Sequence, residues 1–212
     1  ATFRDWLRKK GLSSASVQRN FSSLKAMVNF TIQELGLDCR NAFVGVYLAS
    51  DEPLTKRQPL SKNQIRHLQQ TCYQLDDDLR WLIALISDTG MRLAEAAGLK
   101  IEDLKLDHQH PHIKLAPYPH RTLKTKSSER VIPLVGSSLW AAKRIKESSV
   151  NEFCFARYSN EEVCNSNSAS AALNKWIKTI VGTDAVIHGL RHSFRDRLRE
   201  VEAPSELIDQ LG

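Results

Sequence analysis

Three short clusters in this 212-residue chain combine residue types that act together on an anionic oxygen. Thr89-Gly-Met-Arg-Leu-Ala-Glu95 sets Arg92 just past a glycine turn at the start of a helical run, with Glu95 within i,i+3 reach. Taken alone, it reads first as a surface arginine at a helix N-terminus, salt-bridged to Glu95. It also reads as an anion holder, because the free backbone N–H groups of a helix start point the same way as the guanidinium. His188-Gly-Leu-Arg191 places an imidazole and a guanidinium on one helix face, with His192 alongside. That pattern is either a basic face with a capping histidine or a titratable group beside a permanent cation, which proton transfer at a phosphate requires. Third, Thr122-Leu-Lys-Thr-Lys-Ser-Ser-Glu-Arg-Val-Ile-Pro-Leu134 is a basic turn entering a strand. Its plain reading is a solvated hairpin tip.

Helical periodicity surrounds these clusters. Val17, Phe21, Leu24, Val28, Ile32 and Leu35 recur at three or four residues and predict one buried helix face between Ser13/Ser14 and Gly36. The stretch 50–59, with two prolines among charges and no periodicity, reads as an interdomain linker. Beyond it Ser61 caps a helix with Ile65, Leu68, Cys72 and Leu75 on its apolar face, and Leu79 to Ile86 begins a more buried one. Arg92 to Ala97 is helical and closed by Gly98. His112 to Leu115 and Arg130 to Leu134 predict short strands flanking the basic turn. Helices return at 138–148, 168–181 and 187–201, and a last one opens at Pro204-Ser205. The expected fold class is mainly α with a small antiparallel β-sheet.

Composition narrows the partner. Hydrophobic residues at 42% and charged residues at 25% are ordinary globular values, and no apolar run approaches the roughly 18–20 residues that span a bilayer, so no membrane is expected. The first ten residues lack a secretory h-region. Four scattered cysteines without a CxxC pair read as reduced thiols, hence a cytoplasmic protein, nucleoid-associated if its host is bacterial. A net charge of +6 favours an anionic partner. The charge is concentrated where Lys114, Arg121, Lys124, Lys126 and Arg130 face the single acid Glu129.

Together and in this order, the TGxRxxE box, the KTKxxxRxIPL hairpin and the HxLRHxF box resemble the catalytic domain of the tyrosine recombinase (phage integrase) family. The resemblance runs from about Leu60 to Gly212. It extends weakly to the front, where residues 1–49 are similar to part of the family's helical core-binding domain, which clamps the other face of the DNA. It implies domains at 1–49, a linker at 50–59 and a catalytic domain at 60–212. By position, Arg92 and Arg191 resemble the two catalytic arginines, His188 the box-two histidine and Lys124 the hairpin lysine, with Lys126 a second candidate for that last role. Lys126, Arg121, Arg130 and His192 are expected to touch DNA.

The implied reaction is attack of a tyrosine hydroxyl on a phosphodiester of double-stranded DNA. It yields a 3′-phosphotyrosyl link and a free 5′-hydroxyl, and recombination proceeds in a tetramer on the DNA. Two guanidiniums match phosphate oxygens bidentately and stay charged, so neither metal nor other cofactor is expected. Lys124 would protonate the leaving 5′-oxygen, and His188 would accept the tyrosine proton or orient the phosphate. The rejoining step conserves the phosphodiester energy and needs no ATP. Tyr47, Tyr73, Tyr118 and Tyr158 all precede the HxLRH box and match no family position, so the nucleophile and the third-box His or Trp are expected beyond Gly212, leaving this polypeptide cleavage-incompetent. The alternatives are a type IB topoisomerase-like enzyme, separable by its relaxed-circle products, and a non-catalytic DNA-binding module.

Overall fold

The computed structural model describes residues 2–48, 59–123 and 128–211. The chain divides into two compact units, Ala1–Lys56 and Arg57–Gly212. Apart from Pro59, the expected linker lies outside the described residues, as do Lys124 and Lys126.

The first unit consists of helices α1 (Thr2–Lys9) and α2 (Ser14–Glu34) and the coil that follows. The Ser13 hydroxyl accepts from the Ser16 backbone N–H and so starts α2. Leu7, Val17 and Phe21 form a small core, lined by Leu12, Phe43, Val46 and Leu48. The expected continuous buried face of α2 is only half realised. Val17 and Phe21 are buried, whereas Leu24, Val28 and Ile32 are partly covered and Leu35 is exposed, because α1 packs only against the first half.

The second unit is mostly helical. Its α3 (Lys62–Leu75) opens with a reciprocal cap: Ser61 Oγ accepts from Gln64 N and Gln64 Oε1 accepts from Ser61 N. The central helix is α4 (Asp78–Thr89), whose Leu82 to Ile86 run is buried on all sides by α3, α6 (Gly136–Ser148) and α8 (Ile187–Glu200). This is what the unbroken apolar run 81–86 dictates, since a helix apolar all round must be enclosed. Short α5 (Leu93–Ala97) follows, then a 3₁₀ turn at Ile101–Asp103.

A three-stranded antiparallel sheet comes next, in the order β1 (Leu104–Lys105), β2 (His112–Leu115), β3 (Arg130–Pro133). Leu104 pairs with Ile113, Ile113 with Ile132, and Leu115 with Arg130. The register sends Ile113, Leu115 and Ile132 into the core while Lys114 and Val131 face out. Helices α7 (Ser166–Val181) and α9 (Ser205–Leu211) complete the unit. The sequence pattern missed α1, β1 and the 3₁₀ turn, which are short and carry no clear period. Among the described residues no helix is long and apolar enough to cross a membrane.

Candidate active site

The site is built on the corner between α4 and α5. Gly90 ends α4 in the left-handed conformation, φ 64°, which residues with a Cβ rarely adopt. A Cβ there would also lie 2.4 Å from Phe194 Cδ1, so glycine is what lets α8 press against the corner. From α8, Arg191 Nη1 donates to the Gly90 carbonyl at 2.6 Å. The corner thus carries one arginine from its own chain segment, Arg92, and receives a second from a helix a hundred residues later.

Arg92 is the N-cap of α5, in extended conformation. Glu95 Oε2 accepts from the Arg92 backbone N–H at 2.9 Å, and Glu95 Oε1 accepts from Arg92 Nη1 at 2.8 Å. The i,i+3 spacing of the box therefore produces the ion pair its plain reading implies. Yet the arginine side chain stays 36% exposed while that of Glu95 is 4% exposed. Glu95 is shared: Arg130 Nη2 donates to its Oε2 at 3.0 Å. Burial pushes the Glu95 carboxyl up. The hydrogen bond and charge of Arg130, followed by the bonds from Arg92, outweigh that and hold it below the ordinary carboxylate range.

Arg191 is displaced in the opposite sense. Burial first, and then the positive charge of Arg92, lower it to about 10, with Arg130 and Arg195 adding to the repulsion and Glu95 opposing it. Two guanidiniums close enough to repel, one of them partly desolvated, are the arrangement a bound anion relieves. His188 and His192 lie on α8 around Arg191, exposed, with rings edge-to-face at 4.8 Å.

Two residues expected at the DNA surface are elsewhere. The Arg121 side chain is 1% exposed: Nη1 donates to Asp103 Oδ2 at 2.9 Å and to the Gly98 carbonyl at 3.0 Å, and Nη2 donates to the Ala116 carbonyl. Its guanidinium also stacks on the Tyr118 ring. The Arg130 side chain is 4% exposed, held by Glu95 and by the Ser128 carbonyl at 2.8 Å. Both are internal struts, so the expectation of direct DNA contact is corrected for them. For Arg130 the signal was present in the sequence. It shares a strand face with Ile132, two residues on, and that face is the buried one. Arg121 pairs with an acid 18 residues away, which no local pattern reveals.

Tyr73, Tyr118 and Tyr158 are held by hydrogen bonds or packing, and Tyr47 is exposed. Tyr73 Oη is 2.8 Å from Ser137 Oγ, and Tyr118 Oη donates to Glu102 at 2.7 Å. Burial and these carboxylates raise the Tyr118 hydroxyl well above its ordinary value. Tyr158, 5% exposed, belongs to the core of the second unit, and Tyr47 is on the first unit. His108, His110 and His112 contact one another around the His110 carbonyl, and among the described residues no group of His, Cys, Asp and Glu is arranged to hold a metal ion.

A mostly helical unit with a small three-stranded antiparallel sheet is the fold of the tyrosine recombinase catalytic domain, and it sets an arginine from the α4–α5 corner beside one from α8. The model of the phage integrase family matches residues 58–212, and the chain belongs to that family. It is a tyrosine-type, site-specific DNA recombinase. Solved structures share the fold at low identity. The Tn1549 transposon integrase in complex with a circular intermediate DNA is 19% identical with a TM-score of 0.74, over 99% of this chain and 74% of that one. A lambda integrase (75–356) dimer bound to a COC′ core site is 17% identical with a TM-score of 0.72, over 100% and 76%. XerA recombinase is 16% identical with a TM-score of 0.58, over 99% and 70%. No curated protein sequence matches the chain.

Proposed function

We propose that Arg92 and Arg191 clamp the scissile phosphate of duplex DNA, neutralising the charge that builds on its non-bridging oxygens as a tyrosine hydroxyl attacks. The observation that carries this reading is Arg191 itself. It is held on the Gly90 carbonyl, partly desolvated, and lowered to about 10 by burial and by the neighbouring Arg92 charge. A protein gains little by confining two cations unless an anion joins them. His188, one helical turn before Arg191, serves as proton acceptor or phosphate ligand, and Lys124 donates the proton that the 5′-oxygen needs on leaving. Lys126 and His192 contact the DNA backbone. Residues 1–49 form part of a second DNA-clamping unit, and residues 60–212 carry the chemistry.

The lambda integrase structures include a dimer on a core site and a tetramer bound to a Holliday junction. Their shared fold supports a tetrameric, DNA-associated working state for this chain as well.

Salt dependence tests the clamp. Duplex affinity measured by fluorescence anisotropy should fall linearly with log salt, at about −0.9 per neutralised phosphate. The Arg92→Ala/Arg191→Ala pair should reduce that slope by about one contact, equally on all sequences. In the enzyme with its tyrosine nucleophile, each single variant should slow strand cleavage by about 10²–10³. A slope unchanged in the double variant would remove the phosphate from this site.

A further inference from the structure

We propose that Arg130 is a positioning residue of the phosphate site: by neutralising Glu95 from the protein interior, it leaves the Arg92 guanidinium free to hold an anion. The proposal rests on the reading of Arg92 and Arg191 as the phosphate clamp.

Glu95 is a buried carboxylate whose two oxygens accept three hydrogen bonds, two from Arg92 and one from Arg130. The Arg92 side chain is 36% exposed and can meet a ligand, whereas that of Arg130 is 4% exposed and cannot. A buried ion pair is an inefficient way to gain stability, because desolvation cancels most of the attraction and an apolar pair of similar volume often serves as well. What Arg130 supplies and an apolar residue would not is a positive charge. Arg92, Arg130 and Arg191 against Glu95 sum to +2. Without Arg130 the sum is +1, and the whole field of the Glu95 carboxylate falls on Arg92.

Geometry adds to the charge argument. Arg130 opens β3, and its Nη1 grips the Ser128 carbonyl at 2.8 Å, while Arg92 Nη1 lies 3.4 Å from Ser128 Oγ. One interior guanidinium therefore fixes both the carboxylate that orients Arg92 and the backbone that flanks it.

The test is an NMR titration of inorganic phosphate into the chain, reading the arginine side-chain N–H signals, with thermal unfolding as the check on folding. R130M should weaken phosphate binding about tenfold, since one nearby unit charge is lost from a partly desolvated site. R130K should stay within about threefold of the unsubstituted chain, because a cation returns. R130M/E95Q restores the +2 sum and should also stay within about threefold. A purely structural strut gives the opposite order, with the double variant at least as impaired as the single one. R130M strands a buried carboxylate; if it does not fold, the double variant, which buries no unpaired charge, decides the matter. Phosphate affinity near that of the unsubstituted chain supports the proposal, and loss of affinity overturns it. If R92A and R191A leave phosphate binding unchanged, the clamp reading itself fails. If they abolish it while R130M binds normally, only the role of Arg130 fails.

Discussion

At the sheet end of the second unit, Arg121 is enclosed with Asp103, two backbone carbonyls and the face of Tyr118, so that its charge and most of its donors are matched from within. At the α4–α5 corner, Arg191 has one carbonyl, Gly90, and a second arginine for company. Both side chains give up water, but only the first is repaid by the protein. The contrast separates an arginine matched within the protein from those of the proposed phosphate site more sharply than exposure does, because Arg130 is as buried as Arg121 and yet lies one carboxylate away from Arg92.

If the contrast holds, the largest loss of stability should come from the matched arginine. Arg121→Met leaves Asp103 buried without its cation and should lower unfolding free energy by about 3–5 kcal/mol, measured by urea denaturation. Little change there would mean that Arg121 is dispensable and the comparison empty.

The unmatched arginine should behave in reverse. Arg191 has a folded pKa near 10, below the ordinary arginine value. The stability linked to its neutral form is therefore fully present only above that ordinary value and is lost as pH falls through 10. At neutral pH the guanidinium is charged in both states, and the native state carries the whole penalty. Arg191→Met removes the penalty and also the Gly90 bond. The net expectation is a gain of about 1 kcal/mol, or about 2–4 °C in Tm for a unit of this size. Added inorganic phosphate should shrink that gap, since it stabilises only the chain that binds it. A fall in Tm for Arg191→Met would place Arg191 with the structural arginines.

The smallest effect sharpens the lower bound. Lys146 and Asp107 form a pair 2.9 Å apart, 41% and 92% exposed. Asp107→Ala should change stability by less than about 0.5 kcal/mol.

Much of this architecture was legible in the residues. The enclosed helix α4 followed from its apolar run, the Ser61 cap from its type, and the Arg92–Glu95 pair from spacing. The three boxes pointed to Arg92 and Arg191 although neither cluster shows the other in the sequence. What local pattern could not supply was the inward turn of Arg121. It sits in the most basic stretch of the chain and looked like surface, because Asp103 is reached only through tertiary packing, whereas for Arg130 the alternation with Ile132 already marked the buried face of its strand. The second half of α2 failed for a related reason: periodicity marks a face fit for burial, and burial needs a neighbour long enough to cover it.

The Arg191–Gly90 hydrogen bond spans 101 residues of sequence, and with it the chain brings together the two arginines of the proposed phosphate site. No contiguous fragment shorter than 100 residues contains both arginines. Closing such a loop costs entropy that only the packed core between its ends can return, so the site is a late, high-contact-order product of folding. Until α8 docks on the α4–α5 corner, Arg92 stands without its second arginine, so the pair exists only in the packed unit.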